Sequence, residues 1–261
     1  MRKLLIFFYK FKIFKRIIPS LIKKINSNNL VKIKHNNFML KLNLNNPIDI
    51  QIYLTKKYEE KNIFFLKNLI KKNNINFFFD IGAHMGFYSM NIAALFPNIY
   101  IKAFEPIESN FWQLTENTKL NKFNNRIDMH RKALSDKTKK LKMWVPIKTK
   151  TGGFSIYNKK DKELKKYNNK NISFESAISE KLDNISKIKN KKIAVKIDVE
   201  RHEKFVILGG KKFFNKNKIL LQIELFDERK KEVDLILKNM NFKFIRCNKK
   251  DNFYSNYKIK K

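Results

Sequence analysis

The chain has 261 residues, 43% of them hydrophobic, which excludes a disordered chain and allows one sizeable α/β domain with its own core. Its single cysteine, Cys247, excludes an internal disulfide and a cysteine zinc cluster. The formal net charge of +35 would draw polyanions, but only seven of the 58 basic residues are Arg, so a lysine-biased composition accounts for the charge as readily as a nucleic-acid surface does.

The first 48 residues hold no Asp or Glu, and residues 1 to 25 hold eight Lys or Arg. Phe7, Phe11, Phe14, Ile18, Leu21 and Ile25 recur there at helical spacing, and Pro19 is expected to divide the stretch into two helices. The apolar run Leu4 to Tyr9 falls far short of the roughly 20 residues needed to span a bilayer, and no small-residue cleavage site follows. Two readings stay open: a basic amphipathic helix lying on an anionic membrane surface, or a helix packed on the domain or on a partner chain. The expected location is cytoplasmic, with peripheral contact at the inner face of the membrane. Residues 1–28 are set apart on these grounds from a domain spanning 29–261.

Residues 30 to 44 alternate on either side of Asn36-Asn37, which predicts a β-hairpin. A helix is expected over 56–72. Apolar runs then alternate with helical stretches. The expected strands are Asn76–Asp80, Tyr100–Glu105, Ile127–Lys132, Ile193–Asp198, Ile219–Glu224 and Phe242–Arg246, and the expected helices are 86–96, 108–121, 203–214 and 228–239. This alternation predicts a Rossmann-like α/β fold, with a mostly parallel sheet covered by helices on both faces. Between Leu134 and Lys192 the alternation fails. Strands at Leu141–Ile147 and Ile172–Ile178 flank a polar stretch, read as a partly mobile insertion near the substrate side.

The segment FFFDIGAHMGFYS, residues 77 to 89, is an apolar strand closed by Asp80, followed by Gly82 and Gly86 ahead of a helix. Such glycines permit a tight turn and close approach of backbone to a ligand, and the helix N-terminus suits a ligand carboxylate. Glu105 lies 25 residues after Asp80, at the end of the next apolar strand, where an acid accepts hydrogen bonds from ribose hydroxyls. The G-x-x-x-G spacing points to an adenosine-containing cofactor without a pyrophosphate. The small residues of RKALSD, 131 to 136, would leave room for an adenine ring. The expected cofactor contacts are Asp80, Gly82, Ala83, Gly86 and Ser89 in the turn, Glu105 and Pro106 after the second strand, and Ala133 and Leu134 after the third.

The segment IAVKIDVERHE, 193 to 203, reads as a buried strand, yet it carries Lys196, Asp198 and Glu200 at alternate positions, hence on one face. Unpaired buried charge is costly, so these residues are either paired with one another or functional. Asp198, Glu200 and His202 are the candidates to take a proton from an acceptor. The bland alternative is a Lys196 ion pair, with Glu203 capping the next helix. The four histidines lack the i, i+4 spacing of a helical zinc site, and no metal is expected.

At these residues the chain resembles the FkbM-type methyltransferase family. The resemblance runs in order through DIGAHMGFYS, AFEPIESNFWQLTENTKLN, KALSD, GGFS, KIDVERHEKFVILGG and ILLQIE, and covers roughly residues 30 to 247. It implies a class I methyltransferase fold, S-adenosylmethionine as methyl donor, and a hydroxyl acceptor on a sugar, glycan or related small molecule. By position it implies that Asp80, Gly82, Gly86, Glu105 and Asn110 line the cofactor, with Asp198 and Glu200 near the transferred methyl. The chain departs from the family at Arg201, where the family carries glycine. Arg201 would be strained if the position needs positive φ, or else would reach an anionic acceptor. An RNA methyltransferase and a non-catalytic protein keeping the fold are the alternative functions.

Overall fold

The computed structural model describes residues 17–18, 21–22, 29–146, 155–156 and 172–260. The hairpin is present as β1 (Leu30–His35) and β2 (Phe38–Asn43), turning at Asn36 with φ 51°. Helix α1 (Pro47–Thr55) follows, where no helix is predicted. Asn46 caps it by accepting from the Ile48 amide at 2.9 Å, and Pro47 sits in its first turn, where a missing N–H costs nothing. The helix expected from residue 56 begins only at Glu60, as α2 (Glu60–Lys72). Lys56 and Glu59 both take positive φ, which separates the two helices.

The central sheet has seven strands in the order β12-β13-β11-β10-β3-β4-β5. These are β3 (Phe77–Ile81), β4 (Tyr100–Phe104), β5 (Ile127–His130), β10 (Lys192–Ile197), β11 (Lys218–Glu224), β12 (Lys243–Asn248) and β13 (Asp251–Ser255). The block β11-β10-β3-β4-β5 is parallel. Strand β13, absent from the prediction, enters antiparallel between β11 and β12. From β3 the chain winds outward through β4 and β5, then returns to place β10 and β11 on the other side of β3. The β3/β10 boundary is thus the topological switch point, where a crevice opens at the carboxyl ends of the strands.

Period-two alternation sends neighbouring residues of one strand into two separate cores. Phe78 and Ala194 pack with α2, α3 (Phe87–Leu95) and Leu114 of α4 (Glu108–Leu120) on one face. Phe79, Ile193 and Val195 pack on the other with α5 (Leu182–Ile185), α6 (Glu203–Gly209), α7 (Lys211–Asn215) and α8 (Asp227–Asn239). The single helix predicted over 203–214 is two, because the chain breaks at Gly210. A Cβ there would meet the Phe214 ring at 2.9 Å and Leu182 at 3.0 Å.

The buried face of α4 is largely polar, with Asn110, Gln113 and Asn117 inside. Gln113 and Asn117, with Asn121 just past the helix end, hold the hairpin. Asn117 Oδ1 accepts from the Lys41 amide at 2.7 Å, Asn121 bonds both the N–H and the C=O of Met39, and Gln113 donates to the Lys41 carbonyl. The open edge of β2 is satisfied this way.

The insertion forms a second sheet, β6-β9-β7-β8, from β6 (Ala133–Leu134), β7 (Lys139–Pro146), β8 (Ser155–Ile156) and β9 (Ile172–Glu180). The mobility expected between β7 and β9 falls outside the described residues, apart from β8. Most of the basic N-terminal segment also lies outside them. Of its predicted stripe, Ile18 is buried. Its partner in the core is Ile22 rather than Leu21, which is 42% exposed. Ile18 and Ile22 join Leu44, Ile50 and Leu54 in one cluster, so at these positions the segment packs on the domain.

Candidate active site

A cavity of about 480 Å³ opens at the switch point, within the size range of small-molecule sites. The ends of β3, β4, β10 and β11 supply its walls. At one end, Gly82 follows β3 with φ 80°, and the Gly82 and Ala83 amides both donate to the Phe104 carbonyl at 2.9 Å. The Asp198 amide donates to the Ile81 carbonyl at 3.0 Å, which pins the end of β10 to the same turn.

Glu105 is buried and held from three sides. His84 N–H donates to Oε2 at 2.9 Å, and Ile107 N–H and Asn110 Nδ2 donate to Oε1 at 3.0 and 3.3 Å. Burial pushes its carboxyl up to about 7 despite these bonds. Pro106, Asn110, Ala133 and Leu134 line the cavity beside it. An acid with fixed orientation next to an apolar slot fits a ribose diol and its base.

Asp80 lies at 1% exposure on the cavity wall. Its Oδ2 accepts from Ser89 Oγ at 2.7 Å and from the Ser89 amide at 3.1 Å, while Oδ1 has no hydrogen-bond partner among the described residues. Such an orphaned buried oxygen suits a cationic group in the cavity. Ser89 and Gly86 do not themselves line the cavity. Ser89 is fully buried behind Asp80, and Gly86 is where the turn enters α3 at φ 83°. Their part is to shape the turn.

The other end of the cavity is rich in charge. Lys196 Nζ lies 2.9 Å from Asp198 Oδ2. This is the ion pair of the bland reading, but it stands on the cavity wall. Burial opposes the Lys196 charge, yet Asp198 and Asp80 hold its pKa above the ordinary lysine value. Burial would likewise raise Asp198, and the Lys196 ammonium outweighs it, so this carboxyl sits below its usual range.

Glu200 and Arg201 follow in left-handed backbone, φ 49° and 74°. Burial and the Asp198 charge push Glu200 up to about 8. The Arg201 amide donates to Glu203 Oε1 at 2.8 Å, its carbonyl accepts from Arg229 Nη1, and its guanidinium lies 4.9 Å from the centre of the Phe226 ring. His202 lines the cavity with Nε2 2.9 Å from Ser135 Oγ and its ring stacked on Phe205. Burial lowers its pKa to about 4, so it stands neutral.

The structure thus gathers Asp80, Gly82, Ala83, Glu105, Pro106, Asn110, Ala133, Leu134, Asp198, Glu200 and His202 around one cavity. Sequence reasoning misses Tyr58, Glu59, Glu224, Phe226 and Lys250, which also line it. For Glu224 a signal exists, an acid closing the apolar strand KILLQIE. Tyr58 and Glu59 fall within the helix expected over 56–72 but stand in the connection ahead of Glu60, and Lys250 stands in the β12–β13 turn. Among the described residues, no group of three or more His, Cys, Asp or Glu is placed to hold a metal ion, and no helix is long and apolar enough to cross a membrane.

The sequence model of the family described as "Methyltransferase FkbM domain" matches residues 80–244, more than half of the chain. No curated protein matches it. Among solved structures, the chain is similar to TYW2 of M. jannaschii in complex with AdoMet, at 13% identity and TM-score 0.43, covering 88% of this chain and 85% of that one. It is also similar to a precorrin-6y C5,15-methyltransferase of Geobacter metallireducens GS-15, at 11% identity and TM-score 0.43, covering 75% and 86%.

Proposed function

The chain belongs to the FkbM methyltransferase family, and from that premise we propose that it methylates a hydroxyl on a sugar, glycan or related small molecule. The observation that carries this reading is the polarity of one continuous cavity. An acid suited to ribose closes one end, and carboxylates able to accept a proton stand at the other.

S-adenosylmethionine is the cofactor, and when bound it supplies an electrophilic methyl group on a sulfonium. The residues present fit it. Glu105 would accept from the ribose hydroxyls, the Ala133 and Leu134 slot would take the adenine, and the Asp80 carboxylate with its orphaned oxygen would receive the ammonium of the amino-acid end. Gly82 lets that end pass close to backbone.

The chain's remaining task is to hold the acceptor oxygen in line with the methyl and to remove its proton. Lys196 fixes the Asp198 carboxylate in place, and Glu200 stands beside it. His202, with Nε2 engaged by Ser135 and a pKa of about 4, serves as wall rather than base.

The test uses S-adenosylmethionine carrying a tritiated methyl group, incubated with the full chain and with separated oligosaccharide and RNA fractions. Label entering oligosaccharide hydroxyls supports the reading. Label entering RNA alone overturns it in favour of the reading suggested by the charge of +35. S-adenosylhomocysteine binding without transfer to either fraction points to a protein that kept the fold and lost turnover.

A further inference from the structure

We propose, resting on the hydroxyl-acceptor reading above, that Glu224 and Asp198 act as one carboxyl pair, which holds a single proton at rest and, once that proton is shed, takes the proton of the acceptor hydroxyl. Strands β10 and β11 are parallel with Ile197 opposite Ile223, so the next residue of each, Asp198 and Glu224, stands side by side at the carboxyl ends. Both face the cavity, and each carboxyl acts on the other's charge. Two neighbouring carboxylates resist carrying two charges, so a proton is retained on the pair.

The surroundings decide where that proton sits. Lys196 from β10 bonds Asp198 and keeps it charged, so the retained proton sits on Glu224. Burial first, then the Asp198, Glu200 and Asp251 charges, hold the Glu224 carboxyl above the usual range. Lys250, from the β12–β13 turn, opposes them in part. Asp80 at the end of β3, Glu203 at the start of α6, Tyr58 ahead of α2 and His84 in the glycine turn also act on the pair, and Glu59 acts on its lysine.

In the step itself the acceptor oxygen forms a bond to the methyl carbon. The carbon–sulfur bond breaks, leaving its electron pair on sulfur, and the hydroxyl proton passes to a carboxylate oxygen of the pair. The proton then passes from the pair to water.

The test measures methyl transfer to a panel of p-nitrophenyl hexosides against pH, for the full chain and for Glu224→Gln. In the wild type the rate climbs about tenfold per pH unit on the alkaline side of neutrality. Glu224→Gln removes that climb and lowers the alkaline rate about 100-fold or more, while S-adenosylhomocysteine binds within about threefold of wild type. Glu224→Asp restores part of the climb. A glutamine variant that keeps the wild-type profile, at a rate within about threefold, overturns the pair and leaves the hydroxyl reading standing. Absence of transfer to any hexoside overturns both.

Carboxyl carbon NMR of the wild type gives an answer that needs no acceptor and stands if the glutamine variant fails to fold. The Glu224 signal titrates above neutrality and moves to lower pH in Asp198→Asn. Titration in the ordinary carboxylate range overturns the proposal.

Discussion

A Cβ built on Gly82 would sit 1.8 Å from the Asp198 carbonyl oxygen. The glycine turn after β3 and the end of β10 that carries Asp198 are therefore in backbone contact. That closeness makes the cavity one continuous site, because any residue larger than glycine would wedge β3 and β10 apart at the switch point.

Gly82→Ala meets two costs, a clash with backbone atoms that cannot swing away and a φ of 80°. We expect destabilisation of about 3 kcal/mol or more, together with loss of S-adenosylhomocysteine binding. Gly86→Ala shares the positive φ, but its Cβ would meet only side-chain atoms, nearest Leu114 at 2.5 Å. It should cost about 1–2 kcal/mol and keep binding. Denaturant unfolding and calorimetry on the two variants check the ranking, and equal costs would refute the backbone-contact argument.

Glu105 titrates at about 7 before any ligand binds, because burial outweighs the bonds from Ile107, His84 and Asn110. Ribose hydroxyls donate to the ionised form, so binding is coupled to loss of the proton. S-adenosylhomocysteine affinity should rise as pH rises through about 7 and flatten above it. Glu105→Gln should erase the dependence, and Glu105→Ala should weaken binding by roughly 1–3 kcal/mol through loss of charge-assisted hydrogen bonds. Calorimetry across this pH range would show a flat wild-type profile if Glu105 does not contact the ligand.

Much of the cofactor end is legible in the sequence because local rules set it. A strand, two glycines and an acid 25 residues on are all readable along the chain. The reactive end is half legible. Lys196 and Asp198 alternate within one strand, but Glu224 reaches the site through the β10–β11 pairing, and the order of strands in a sheet is not written in any one of them. Helix α1 escapes for a different reason. PIDIQIYLT is apolar at every second position, a strand-like pattern, and its helical state depends on the Asn46 cap and on burial of Asp49. Strand β13 reads DNFYS, polar at both ends and without an aliphatic residue, so it does not stand out, and its place between β11 and β12 follows from a hairpin turning at Lys249, with φ 57°.

Arg201 occupies the position where the family resemblance calls for glycine, and its φ is 74°. Contact with Phe226 offsets some of the strain, so Arg201→Gly alone mixes two effects. The comparison that isolates the backbone is Arg201→Gly against Arg201→Ala, since both lose the ring contact. Glycine should be the more stable by about 1 kcal/mol, read from denaturant midpoints. Alanine equal to glycine would mean that the loop relaxes out of positive φ.

Asp49 is fully buried at the first turn of α1. Its Oδ2 accepts from the Asn43 amide at 2.6 Å and from Gln113 Nε2 at 2.5 Å, and its Oδ1 has no hydrogen-bond partner among the described residues. Burial raises its carboxyl to about 7, with the two bonds opposing. A raised folded-state value means that the folded chain keeps a proton which the unfolded chain has already lost above about pH 4. The stability linked to that proton is therefore complete below about pH 4. It falls as pH rises, by at most about 1.4 kcal/mol per unit, and is gone above about pH 7. Asp49→Asn keeps an acceptor for both donors and cannot ionise. Relative to wild type, the variant should therefore gain stability steadily from pH 4 to pH 7 and hold that gain above it. Because the charge of +35 burdens both proteins alike, the difference between their unfolding curves is the quantity to follow. A difference that stays constant across the window would mean that Asp49 ionises at an ordinary carboxylate pH, and that the α1–α4 contact is built around a charge.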